Sequence, residues 1–153
     1  MEAKTTHIAA FFVSGLSVRT MNRDEFNQEI AKIPGLWAQF VSSKLADTIP
    51  GRLPETPIYG VYSHYDSDAT GFYDVTAGVA VGALAPDFAG VEIAEGEYLV
   101  FDAMGPMPAA LIQAWDGIWK YFEQHPQVRR SFLTDFEAYC GAEKVQIHIG
   151  IAA

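Results

Sequence analysis

The residues best suited to chemistry lie near the C-terminus, in Phe136-Glu137-Ala138-Tyr139. The surrounding run from Phe132 to Cys140 has the aromatic and small apolar make-up of a strand. Alternation then puts Glu137 on one face with Tyr139, while Phe136 and Ala138 take the other. A carboxylate there is either solvated at the sheet surface, which spacing alone favours, or held in a pocket. In a pocket it needs a partner, because an ionised carboxylate is costly to bury. An organic cation is one such partner, and the chain carries three Trp, seven Tyr and ten Phe whose faces attract cations. Trp37, Phe40, Trp115, Trp119 and Phe122 recur at helical spacing, where most such rings are ordinary core. Tyr59, Tyr62, Tyr65, Tyr73, Tyr98 and Tyr139 fall on strand-like runs, where a phenol can face a cleft while its ring packs.

Other candidates carry less. Asp66-Ser67-Asp68-Ala69-Thr70-Gly71 matches the front half of a calcium loop, but Ala77 stands where the bidentate Glu is needed. A solvated hairpin turn is the expected role. His7, His64, His125 and His148 are dispersed, without the spacing of a zinc pair. Cys140 has no cationic sequence neighbour to lower its pKa, so a buried structural thiol is expected. There is no G-x-S-x-G, P-loop or dinucleotide fingerprint. The expectation is therefore no metal, no cofactor and no assigned catalytic residue.

Composition narrows the function classes. At 153 residues, half of them hydrophobic, the chain suits one domain with one core spanning 1–153. A formal net charge of −9 and a single adjacent basic pair, Arg129-Arg130, argue against a nucleic-acid face. The same field favours a positively charged ligand. A lone cysteine excludes an intrachain disulfide, and the N-terminus lacks a signal-peptide pattern. No run approaches the roughly 20 apolar residues that span a bilayer. A cytoplasmic protein without membrane attachment is expected.

The elements that must position these residues nearly repeat. Gly35-Leu36-Trp37-Ala38-Gln39-Phe40 returns as Gly117-Ile118-Trp119-Lys120-Tyr121-Phe122, and Tyr59-Gly60-Val61-Tyr62 matches Phe136-Glu137-Ala138-Tyr139 in place. The first half reads as a strand from about His7 to Arg19, bulged at Ser14-Gly15, then a helix opened by an Asn22/Glu25 capping box. Pro34 either kinks that helix or begins a second segment. Strands follow at Pro57 to Tyr65 and Phe72 to Leu84. The second half reads as a strand over Val91 to Asp102, a helix carrying Leu111, Trp115, Ile118, Trp119 and Phe122, and a hairpin of Phe132 to Cys140 with Lys144 to Ile151. The expected fold is α+β: duplicated β-α-β-β units, about 5–84 and 90–151, forming a curved antiparallel sheet with two main helices and a central cleft.

In order along the chain, Ile33-Pro34-Gly35-Leu36-Trp37, Tyr59-Gly60-Val61-Tyr62, Phe72-Tyr73-Asp74-Val75, Gly96-Glu97-Tyr98-Leu99, Trp115-Asp116-Gly117-Ile118-Trp119 and Asp135-Phe136-Glu137-Ala138-Tyr139 resemble the gyrase-inhibitor-like effector-binding domain. That domain is also the C-terminal sensor of AraC-type and MerR-type multidrug-responsive activators. The chain departs from its pattern at Ala94 and Gly150, where Pro is common. The resemblance implies a small-molecule pocket between the halves with Glu137 at its base, and Tyr139, Trp37, Tyr59, Tyr98 and Trp119 as candidate walls. It implies a stand-alone sensor of an amphipathic, cationic, lipophilic molecule. A protein partner and a homodimer both stay open. The alternative is a hydrolase of a reactive small molecule, using Glu137 with Tyr139 or a tyrosine of the other half.

Overall fold

The computed structural model describes residues 3–152. Eight strands form one antiparallel sheet in the order β1-β6-β8-β7-β3-β4-β2-β5. They are β1 (Lys4–Ile8), β2 (Phe11–Met21), β3 (Ile58–Ser63), β4 (Phe72–Val81), β5 (Ala89–Ile93), β6 (Gly96–Met104), β7 (Arg130–Gly141) and β8 (Lys144–Ile151). Helices α1 (Asn22–Glu25), α2 (Ile33–Ser42) and α3 (Leu45–Thr48) lie between β2 and β3, and α4 (Ala109–Gln124) lies between β6 and β7. The inner order β6-β8-β7 matches β2-β4-β3, so two copies of one β-α-β-β unit meet where β7 pairs with β3.

The duplication carries an exchange that the sequence does not announce. The expected single strand from His7 to Arg19 breaks at Ala9-Ala10. Its first piece, β1, crosses to pair with β6 of the second unit, while β2 pairs with β4 of the first. The second unit does the same: the run expected as one strand from Val91 breaks at Ala94-Glu95, and β5 pairs with β2. Each unit thus lends its leading strand to the other unit's edge.

The bulge expected at Ser14-Gly15 is absent, because β2 keeps register with β4 from Phe12 opposite Val81 to Met21 opposite Phe72. Gly15 and Gly78 make that possible. They face each other, and a Cβ on Gly15 would fall 1.8 Å from the Ala77 carbonyl oxygen. Two glycines therefore do by close approach what a bulge would have done by insertion.

Both main helices cover the same face. Leu36 and Phe40 of α2 pack on Val75, Ala77 and Val79, and Ala114 and Ile118 of α4 pack on Leu99, Phe101, Ile147 and Ile149. The opposite face buries Val13, Val61, Val91, Ile93, Tyr98 and Phe136, as the curved sheet brings β2, β5 and β6 over β3 and β7. Among the described residues no helix is long and apolar enough to cross a membrane.

The helix opened at Asn22 ends after four residues, and α2 begins only at Ile33 with Pro34 in its first turn. Glu25 explains the break. Its carboxylate accepts the backbone N–H groups of Lys32 (2.9 Å) and Ile33 (3.1 Å) and the Thr20 hydroxyl (2.5 Å). It caps α2, not the helix in which it sits. Phe26 and Ile30, in the stretch between α1 and α2, are exposed. Replacing Glu25 by Ala should cost about 1–2 kcal/mol, the usual worth of a helix cap. Urea unfolding measures it, and a loss below a few tenths of a kcal/mol would refute the capping role.

Candidate functional site

The two related tetrapeptides meet at the centre of the sheet, where β3 and β7 pair with Gly60 directly opposite Glu137. Alternation turns Gly60, Tyr62, Glu137 and Tyr139 toward the helices. Glu137 is 2 % exposed. Its Oε2 accepts from the Tyr62 hydroxyl (2.8 Å) and the Trp115 indole N–H (2.7 Å), and its Oε1 accepts from the Tyr139 hydroxyl (2.6 Å). Trp37 lies over Gly60: a Cβ built there would stand 3.0 Å from Trp37 Cζ2 and 3.1 Å from Glu137 Oε1.

The four rings obey the repeat. Trp37 meets Tyr139 with centroids 5.0 Å apart, and Trp115 meets Tyr62 at 5.4 Å. Tyr62 and Tyr139 occupy equivalent strand positions, so the equivalent of Trp37 is Trp115. Aligning G-L-W with G-I-W points instead to Trp119, one helical turn too far. Trp119 lies outside the pair, 6.4 Å from Trp115 and edge-on to the exposed Phe26 at 5.8 Å.

Of the six residues singled out from sequence, the structure brings together Glu137, Tyr139 and Trp37, and sets Trp119 one layer out. Tyr59 and Tyr98 do not stand beside Glu137. They lie on the opposite face, Tyr59 against Phe11 and Phe136, with the Tyr98 hydroxyl donating to the Ala94 carbonyl oxygen and paired with the Thr134 hydroxyl. Strand parity is the reason: Tyr59 is one residue from Gly60 and must face away from it. Sequence reasoning left Tyr62 among six strand tyrosines and Trp115 among the helix rings, and singled out neither of them nor Gly60. Matching Tyr59-Gly60-Val61-Tyr62 to Phe136-Glu137-Ala138-Tyr139 position by position would have found Tyr62 and Gly60.

The four rings pack around the carboxylate. Cavities of about 400 Å³ lie elsewhere, one beside Ser63, Glu92 and Leu133 and another beside Tyr121 and His125. Neither of these two is lined by Glu137.

The electrostatics separate two buried acids on the same face of β7. Asp135 is fully buried and has an internal cation: Arg130 Nη2 donates at 2.7 Å, joined by the Gly150 N–H at 2.8 Å and the Tyr65 hydroxyl. Arg130 also lies 4.5 Å above the Phe132 ring. Glu137 has hydrogen-bond donors but no Lys, Arg or His among the described residues within ion-pair distance. Burial pushes its carboxyl above the ordinary value, and the donors Tyr139, Trp115 and Tyr62 pull it back. The hydroxyls of Tyr62 and Tyr139 are pushed up by burial and by the neighbouring carboxylate, which keeps them protonated as donors. The result is a buried carboxylate held by neutral donors and flanked by aromatic rings.

The remaining candidates are engaged locally. Asp68 accepts from the Thr70 N–H (2.8 Å) and hydroxyl (2.6 Å), and Asp66 pairs with Arg19. Cys140 is exposed.

A duplicated α+β sheet with a carboxylate and paired aromatic rings at its centre is the frame of an effector-binding domain. The chain belongs to the family of integron-associated effector binding proteins (Cass2), whose model matches residues 6–152. It is similar to an integron cassette protein, VCH_CASS2, from the mobile metagenome of Vibrio cholerae, at 34% identity and TM-score 0.83, covering 98% of this chain and 95% of that one. It is 27% identical to the putative transcriptional regulator protein YobU of Bacillus subtilis (strain 168), over 96% of this chain and 94% of the relative. The structure of SAV2435 bound to tetraphenylphosphonium shares the fold, with 19% identity and TM-score 0.78, covering 100% of this chain and 95% of that one.

The contrast between the two acids yields two expectations. Arg130→Met leaves Asp135 buried without its cation and should cost about 3–5 kcal/mol in chemical denaturation, as breaking a buried pair does. A cost under 1 kcal/mol would show that the pair behaves as a surface bridge. For Glu137 the sign runs the other way. Its folded state holds the proton more tightly than the unfolded chain, so its protonation favours the fold at low pH, and that contribution is lost as pH rises through the raised folded value. Glu137→Gln should therefore gain stability relative to the native sequence as pH rises above the ordinary carboxylate range. A difference that stays constant with pH would contradict the buried charge.

Proposed function

We propose that this protein binds an amphipathic organic cation, with Glu137 as its charge partner and Trp37, Tyr62, Trp115 and Tyr139 as its wall. The observation that carries the reading is the missing cation. Two carboxylates are buried on one face of β7, and Arg130 neutralises only Asp135. An unpaired buried carboxylate is costly, and a ligand that brings the positive charge recovers that cost on binding. Aromatic faces add about 0.5–2 kcal/mol per favourable cation contact. Membership in an effector-binding family and a structural neighbour bound to tetraphenylphosphonium support the same ligand class.

Tetraphenylphosphonium is therefore the first probe, with triphenylphosphine oxide as a neutral aromatic control. Thermal shift should show stabilisation by the phosphonium, since a ligand held by the folded state alone raises the unfolding midpoint. Glu137→Gln should weaken phosphonium binding at least tenfold, about 1.4 kcal/mol, and leave the neutral compound unchanged. Equal losses for both compounds would remove Glu137 from the charge-partner role. The binding reading also expects the compound to be recovered intact by mass analysis; a chemically altered product would make the site hydrolytic.

A further inference from the structure

The two oxygens of Glu137 are not equivalent. An ionised carboxylate offers about four lone-pair positions. Oε2 fills two, with Tyr62 and Trp115, whereas Oε1 fills one, with Tyr139. The open position is on Oε1, the oxygen that faces Gly60.

The two tryptophans differ in the same sense. The Trp115 indole N–H is tied to Oε2, so that ring is a fixed wall. The Trp37 indole N–H has no hydrogen bond to any described residue, and its ring rests on Gly60 and Tyr139 by packing alone. Trp37 is half-buried on α2, whose outer face is solvent-exposed, so it can turn away without breaking a hydrogen bond. Beneath it, Gly60 contributes no side chain. The open acceptor, the untethered ring and the bare glycine adjoin one another.

We propose that the ligand's charged group is an N–H cation, a protonated amine or amidinium, that donates to the open position of Glu137 Oε1 over Gly60 as Trp37 swings aside. This rests on the reading of Glu137 as the charge partner and adds the side of approach and the chemistry of the head group. A quaternary ammonium or phosphonium matches the charge but leaves the last lone pair unfilled. Charge-assisted hydrogen bonds are roughly twice as strong as neutral ones, so an N–H head group is preferred over its N-methylated counterpart. Gly60 sets the room available: a methyl group there would meet both Trp37 Cζ2 and Oε1.

The test compares naphthylmethylammonium with trimethyl(naphthylmethyl)ammonium by calorimetry on the native sequence, Gly60→Ala and Glu137→Gln. The native sequence should prefer the primary ammonium by about tenfold or more. Gly60→Ala should weaken that compound by a similar factor and erase the preference, while Glu137→Gln should weaken both. Equal or tighter binding of the quaternary compound by the native sequence, or binding of neither, overturns the proposal. So does undiminished preference in Gly60→Ala. If Glu137→Gln weakens both compounds but the native sequence shows no preference, only the N–H assignment falls. If Glu137→Gln binds both as the native sequence does, the charge-partner reading falls as well. Should Gly60→Ala lose cooperative unfolding, the indole N–H signals of the native protein decide instead. The primary ammonium should move the Trp37 signal more than the Trp115 signal, and the reverse order would overturn the proposal.

Discussion

The pairing of Gly60 with Glu137 across β3 and β7 is the constraint around which the molecule is arranged. It places a carboxylate at the middle of the sheet, on the face that both main helices cover, where water cannot solvate it. The charge is then met by neutral donors alone, two tyrosines related by the internal repeat and one indole from α4. Each donor comes from a different element, so β3, β7 and α4 are all held in place by what the acid requires. The glycine opposite is part of the same arrangement, because no side chain fits between Trp37 and Oε1 without displacing one of them. The units are duplicated in outline, and at this central position one carries glycine and the other glutamate. A symmetric pair of glutamates would face each other as like charges, and a pair of glycines would leave no buried acid.

Asp135 shows that the fold is able to neutralise a buried acid from within. Arg130 is five residues away in the chain, is stacked on Phe132, and leaves its Nε without a partner to reach the carboxylate. Removing an arginine from water for this purpose is costly, and ion pairs of this kind are at best modestly stabilising. Two residues further along the strand the same device is missing. The two acids are thus satisfied differently: Asp135 by a cation of the same chain, and Glu137 by neutral donors alone.

Much of this was legible in the sequence. The repeat, the α+β class, the β7–β8 hairpin and the face shared by Glu137 and Tyr139 all follow from periodicity and turn residues, which are local signals. The features that were not legible depend on distant partners. Ala9-Ala10 has no turn former to mark the break between β1 and β2, and only the pairing of β1 with β6 reveals that a crossing occurs there. Glu25 looked like a local capping box, and the helix it caps begins eight residues later. Motif matching placed Trp37 with Trp119, since the two helices carry their tryptophans in different turns relative to Gly-Leu and Gly-Ile. Burial of Glu137 ran against the reading from spacing alone, because alternation says which face a side chain takes but not what covers that face.

The exchange of leading strands has its own consequence for how the domain assembles and dissolves. Neither unit owns a complete sheet: excised at the seam, each would expose the edge on which the other's first strand lies. The halves are laced together, and loosening one unravels the border of its twin. Pairing β1 with β6 also demands that chain segments some ninety positions apart find each other, and such distant closures make folding slow compared with local hairpins. The same lacing is what two separate half-length chains would need to form a swapped pair. A fused duplicate of this kind keeps the embrace of such a dimer and frees one of its two central positions to become an acid.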